Sequence, residues 1–301
     1  MAIAIQTVKL YLLFCSDFAQ DGFILLLPAC RQRNPMNHIP VQSHTVWVAQ
    51  AGQCSSTSDN VSAEIPVALV YNGISHVVLM ATPVDVAELA LGFSLSEGII
   101  EDAEQIYAIE ISEYQHGIVA EIELASAAFN RLKSRRRQMS GRTGCGLCGI
   151  DSLAAVQPEL KPVLRTKHID FSIIGRALTD FNHHQQLRAQ TGSVHGVAWA
   201  DTSGRIVTVR EDIGRHNALD KLIGWGLHAK VDWKQGFVVL SSRASFEMVM
   251  KSAITGIGCI VAISAPTTYA IDLAHKADIT LVGFARHNRQ VIYTHPQFFH
   301  P

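Results

Sequence analysis

The stretch Phe237-Val-Val-Leu-Ser-Ser-Arg-Ala-Ser-Phe-Glu-Met-Val-Met-Lys-Ser-Ala-Ile254 is followed by Cys259-Ile-Val-Ala-Ile263, by Thr267 to His275 and by Ile279 to Phe284. Apolar runs too short for a helix (Phe237 to Leu240, Cys259 to Ile263, Ile279 to Phe284) alternate with amphipathic runs (Ser245 to Ile254, Thr267 to His275). That rhythm predicts strands joined by helical crossovers, and so a sheet with helices on both faces. Upstream, Arg215 to Leu227 and Phe171 to Gln190 have helical periodicity, and Val194 to Ala200 and Ile206 to Val209 form a strand pair around Asp201-Thr-Ser-Gly204. A last strand at Val291-Ile-Tyr293 completes a C-terminal three-layer α/β/α domain over residues 166–301.

Further upstream the pattern changes. Glu64-Ile-Pro-Val-Ala-Leu-Val-Tyr71 and Ile74 to Met80 flank Asn72-Gly73, a strong signal for a tight hairpin. Thr82-Pro83-Val84-Asp85 then offers a capping hydroxyl, a proline for the first helical position and an acid for the first turn. The helix it predicts runs through Phe93 and ends near Gly98. Ile106 to Ile111 and Ile118 to Leu124 read as another strand pair. These elements predict a small N-terminal mixed α/β layer over residues 46–140, making the chain α/β, or α+β overall. Residues 1–45 fit nothing downstream and are expected to be a poorly structured extension, or to precede a start at Met36. Their apolar fragments are broken by Asp17 and Asp21, too short for a membrane span and unlike an export signal.

The 301 residues are 48% hydrophobic and 17% charged, enough apolar material for a full core and for two domains. A net charge of −1 removes the global electrostatic case for a nucleic-acid or membrane-surface protein. Six Cys are too sparse for a disulfide scaffold, and a reducing, cytoplasmic setting is expected.

Between the two halves, residues 141–165 form an expected mobile linker that opens with Gly141-Arg-Thr-Gly-Cys-Gly-Leu-Cys-Gly149. Four glycines in nine residues strip side chains from around Cys145 and Cys148. Two such thiols can act as nucleophile and resolving group, or form half of a zinc site. Arg131, Lys133, Arg135, Arg136, Arg137 and Arg142 favour the reactive thiolate and would also attract a phosphorylated ligand. The plainer alternative is a solvated basic helix beside a linker. Structural zinc lacks a second ligand pair, and a zinc deaminase lacks both its proline, replaced by Gly144, and any His-x-Glu. Gly144-x-Gly-x-x-Gly149 follows a basic segment instead of an apolar strand, so it is no dinucleotide fingerprint. A thioredoxin-like dithiol stays open.

Other groups in the second half suit anions. Arg215 and His216 stand at the start of a predicted helix behind Asp212, although structural ion pairs are the commoner use of such residues. Ser241-Ser-Arg-Ala-Ser245 and Ser264-Ala-Pro-Thr-Thr268 lie at strand ends, where open α/β sheets gather ligands. His195 reads by default as a satisfied core histidine. Gly283-Phe-Ala-Arg-His-Asn-Arg289 could stack on a purine and pair with phosphates, or be a basic surface turn.

The ordered set Glu64 to Gly73, Gly92 to Gly98, Gly141 to Gly149, Glu211 to Lys221, Ser242 to Met248 and Leu281 to Phe284 resembles the formate dehydrogenase accessory sulfurtransferase family (FdhD) over about residues 60–298. The resemblance implies a sulfurtransferase that takes sulfur from a cysteine desulfurase as a persulfide on Cys145, with Cys148 assisting. It implies delivery to the molybdenum of a bis(molybdopterin guanine dinucleotide) cofactor, bound as the acceptor, before that cofactor enters formate dehydrogenase, the client. Phe284, Ala285, Arg286, His287, Asn288 and Arg289 align with the family's cofactor-binding segment. Ala285 and His287-Asn288 depart from a Cys and a Pro-Gly pair found in relatives, leaving Phe284 and Arg289 as the firmer carry-overs. The second domain is implied to resemble the cytidine deaminase fold. A homodimer is the expected assembly, with no resident metal, no nucleic acid and no membrane. A non-catalytic cofactor chaperone is the alternative, and a dithiol reductase a third.

Overall fold

The computed structural model describes residues 29–33, 38–139, 160–164 and 169–300. The first half builds a five-stranded sheet from β1 (Ala29–Arg33), β4 (Ile65–Tyr71), β5 (Ile74–Ala81), β6 (Ile106–Tyr114) and β7 (Gly117–Leu124), in the order β1-β6-β7-β4-β5. Asn72 and Gly73 have φ of 46° and 77°, the left-handed pair that a two-residue hairpin turn requires. Along β4, Val67, Leu69 and Tyr71 are buried against α1 (Val86–Ser96), as the alternation demands.

One strand and the first half of another fall inside the stretch expected to lack structure. β1 pairs in parallel with β6, and β2 (Val41–Gln50) pairs with β3 (Gln53–Ser62) in a separate hairpin turning at Ala51-Gly52. The N-terminal cap of α1 also differs. The helix begins after Asp85, which has φ 55° and caps nothing, while Thr82 is fully buried and bonds elsewhere. After β7 comes the basic helix α2 (Ser126–Met139).

The second half begins with β8 (Ile169–Asp170), α3 (Phe171–His184) and α4 (Gln186–Thr191). The single helix expected over residues 171–190 is broken at Gln185. The Glu211 carboxylate accepts the amides of Leu187 (2.8 Å) and Arg188 (2.9 Å) and so starts a new helix. Then follow β9 (His195–Asp201), β10 (Ile206–Asp212), α5 (Arg215–His228), β11 (Gly236–Leu240), α6 (Phe246–Thr255), β12 (Cys259–Ala262), α7 (Thr268–Lys276), β13 (Thr280–Arg286), β14 (Arg289–Ile292) and β15 (Phe299–His300). The sheet order is β10-β9-β11-β12-β13-β14, with β11, β12 and β13 parallel. Successive residues of β11 serve opposite faces: Val238 and Leu240 pack with α5, α6 and α7, whereas Phe237 and Val239 pack with α3. This is the expected three-layer α/β/α arrangement.

The halves are joined by α1 against α5. A Cβ built on Gly92 would stand 1.7 Å from the Asp220 carbonyl oxygen, and one on Gly224 would stand 2.0 Å from that of Glu88. Both positions must therefore be glycine for the backbones to touch. One apolar cluster runs from Leu69 through Leu91 and Leu222 to Leu240. No described helix is long and apolar enough to cross a membrane.

Candidate functional site

Because β11, β12 and β13 are parallel, their carboxyl ends share one edge, and antiparallel β9 begins there. The junction is locked by Ser241: its amide donates to the Gly196 carbonyl (3.0 Å) and its Oγ accepts the Gly196 amide (2.9 Å). Crevices at such an edge are where open α/β sheets bind ligands. Two helices start here without side-chain caps, α5 after Gly214 and α6 after Ser245. By contrast, α7 is capped by Thr267.

His195, Arg215, His216 and Glu247 meet at this edge. Glu247 Oε2 lies 3.0 Å from His216 Nε2, 3.1 Å from Ser245 Oγ and 3.7 Å from Arg215 Nη2. The His216 hydrogen bond, ahead of opposing burial, holds the Glu247 carboxyl below the usual carboxylate range. His195 Nδ1 and Arg215 Nε are buried atoms with no hydrogen-bond partner among the described residues. Burial, then the charges of Arg215, Arg188 and His216, push the His195 imidazole below its ordinary value. Unfilled hydrogen-bonding capacity beside the Arg215 and Arg188 guanidinium groups and two open helix starts, against one carboxylate, favours an anion.

The sequence default for His195 is thus overturned, since its ring is not fully satisfied. Glu247 is a residue that sequence reasoning passed over. Nothing in periodicity links it to His216, 31 positions earlier; only the sheet brings α5 and α6 side by side.

Most of the Glu211 to Lys221 phrase is structural. Lys221 Nζ lies 2.7 Å from Asp212 Oδ2 and 2.7 Å from Thr82 Oγ1, with both charged side chains fully buried. The Thr82 amide and hydroxyl each donate to Asp212 Oδ2 at 3.0 Å, and Asn217 Nδ2 donates to the Met80 carbonyl at 2.8 Å. A second buried group joins Lys251 to Asp220 (3.0 Å) and Glu97 (2.7 Å), while Ser96 donates to Asp220 at 2.6 Å. Burial raises the Asp220 carboxyl above its usual range. Desolvation opposes the charge on Lys251, but Asp220 and Glu97 outweigh it and raise its pKa.

On the same edge, the irregular end of β13, where the pairing with β14 shifts register between Gly283 and Arg286, presents Phe284, 41% exposed, at φ 48°. A left-handed backbone is strained for an aromatic residue. It is held by the Phe284 amide donating to the Ser264 carbonyl at 3.1 Å. Ala285 is buried in the core, so its side chain does not face a ligand. Arg286 Nη1 donates to the carbonyls of Ile263 (2.6 Å) and Ala285 (2.8 Å). His287 Nδ1 sits 3.2 Å from the Gly175 carbonyl, fastening the turn to α3, and Asn288 and Arg289 are exposed. The loops behind β11 and β12 touch through the Ala244–Pro266 bridge, so both groups of residues line one continuous edge. Cys145 and Cys148 lie outside the described residues.

A family model described as the FdhD/NarQ family matches residues 62–300. The chain is 49% identical over 246 residues to the sulfur carrier protein FdhD of Cupriavidus necator, covering 82% of this chain and 85% of that one. It is 47% identical over 254 residues to the protein of that name from Xanthomonas euvesicatoria pv. vesicatoria, covering 84% and 90%. A crystal structure from Desulfotalea psychrophila, described as that of a formate dehydrogenase accessory protein, shares the fold with a TM-score of 0.68 at 24% identity, over 87% of this chain and all of that one. With so much of the sequence matched, the chain belongs to the FdhD/NarQ family.

Proposed function

We propose that this protein is a sulfur carrier serving formate dehydrogenase. The observation that carries the reading is the likeness, over more than four-fifths of each chain, to relatives named as sulfur carriers. The chemistry needs a nucleophilic sulfur, and the glycine-flanked Cys145 beside six basic residues supplies one. The Cys145 thiolate attacks the terminal sulfur of a persulfide on a cysteine desulfurase. The S–S bond of the donor breaks, its cysteine leaves as a thiolate, and Cys145 becomes the persulfide. Attack by Cys148 on the inner sulfur then releases the terminal atom as hydrosulfide and closes a Cys145–Cys148 disulfide, which a cellular dithiol reduces, becoming a disulfide itself, before the next loading.

The acceptor is the molybdenum of a bis(molybdopterin guanine dinucleotide) cofactor, handled as substrate. The carboxyl edge of the second sheet offers groups that suit it: Arg215 and the open starts of α5 and α6 for phosphates, and Phe284 for a guanine face. The protein works in the cytoplasm as a homodimer. In cells, Cys145→Ala should yield formate dehydrogenase that contains molybdenum but lacks its sulfido ligand; retention of that ligand in the variant would overturn the proposal.

A further inference from the structure

We infer that α2 is the docking surface for the protein that loads Cys145, and that the matching surface of this donor is acidic; the inference rests on the sulfur-carrier reading above. From Ser126 to Gly149 the chain has six cationic residues and no carboxylate. Of its 25 Lys and Arg, that leaves 19 elsewhere to face all 26 Asp and Glu. A net charge of −1 therefore conceals a strongly basic segment on an otherwise acidic protein.

Helix α2 is anchored through Ala128 and Leu132 in the core. Of its cations, Arg131 and Lys133 have described side chains, and neither is held tightly by a carboxylate. Arg131 Nη2 donates to Gln105 Oε1 at 2.9 Å and stands 4.0 Å from the exposed Glu101 carboxylate. Lys133 Nζ sits 4.2 Å over the Phe129 ring. Basic residues in a last helical turn can complement the helix dipole, but that effect fades within one turn and does not account for Arg131 and Lys133.

Chain reach ties this charge to the thiol. Cys145 is six residues beyond Met139, so it lies within about 20 Å of the end of α2. Any protein that delivers sulfur to Cys145 must therefore come close to this helix. Binding groups for a phosphorylated cofactor are present on the second sheet, whereas charge along a 14-residue helix suits an extended protein face. Such a patch acts mainly by steering encounter, with a strong dependence on salt.

The test is sulfur loading of the full chain by the cysteine desulfurase of the same organism turning over L-cysteine, with glutathione persulfide as a small donor. Arg131→Gln/Lys133→Gln and, separately, Arg135→Gln/Arg136→Gln/Arg137→Gln would be compared at equal thermal stability. In both variants the half-saturating desulfurase concentration should rise about tenfold, with the maximal rate within about twofold and a weaker salt dependence. An unchanged half-saturating concentration overturns the inference. So does a fall in maximal rate shared with glutathione persulfide, because the charges would then act on the thiol itself. Wild-type protein that takes sulfur from neither donor overturns the sulfur-carrier reading, and the inference with it.

Discussion

Lys221 and Asp212 show how a phrase rich in ionisable residues can be architecture. Both side chains are fully buried and 2.7 Å apart, so removing one strands the other in a low-dielectric interior. Lys221→Met should cost about 3–5 kcal/mol in urea unfolding, and Lys221→Met/Asp212→Leu should recover part of that loss. His195 makes a different prediction. Its folded pKa lies below the ordinary value, so the unfolded chain takes up a proton that the folded one refuses. Stability is then retained above about pH 6.5 and lost as pH falls below it. The thermal midpoint of His195→Gln should decline less between about pH 7 and 5 than that of the wild type; equal declines would contradict this account. Glu247, also held low, loses its contribution at more acid pH, which separates the two. The sequence located Arg215 and His216 as candidate anion ligands. It could not assign Asp212, Asn217 and Lys221 to a buried network, because Thr82 and Met80 enter that network from about 130 positions away.

At the scale of elements, the crossing of α1 and α5 is the most tightly constrained feature. Gly92→Ala puts a methyl group where the Asp220 carbonyl oxygen already stands, and neither helix backbone can yield alone. A loss of about 3 kcal/mol or more is expected, read as a fall in urea midpoint. Strands and crossover helices were legible because their apolar periods are strong, and the Asn72-Gly73 turn because its backbone demands those residues. The start of α1 was misread because Thr82 has the chemistry of a cap yet serves Asp212. The break at Gln185 was invisible because its cause is the side chain of Glu211 on another strand. The Cys145 and Cys148 pair was plain in the sequence, whereas the meeting of His195, Arg215, His216 and Glu247 needed three elements to converge.

Across the whole molecule, one apolar cluster and two buried ionic networks span both large sheets, while a second cluster lies within the second half, so the first half has no core independent of the second. Calorimetry should show a single cooperative unfolding transition; two resolved transitions would contradict a shared core. The same shared core holds α2 on the first half and the ligand-suited edge on the second in one body, so sulfur loading and cofactor handling can occupy different surfaces of one carrier. In that carrier, Cys145 stores the sulfur. Mass spectrometry of the intact protein, after incubation with a cysteine desulfurase and L-cysteine, should show a cyanide-labile gain of one sulfur atom mapped to Cys145 and absent from Cys145→Ser. No such gain, or an equal gain in the serine variant, would contradict the account.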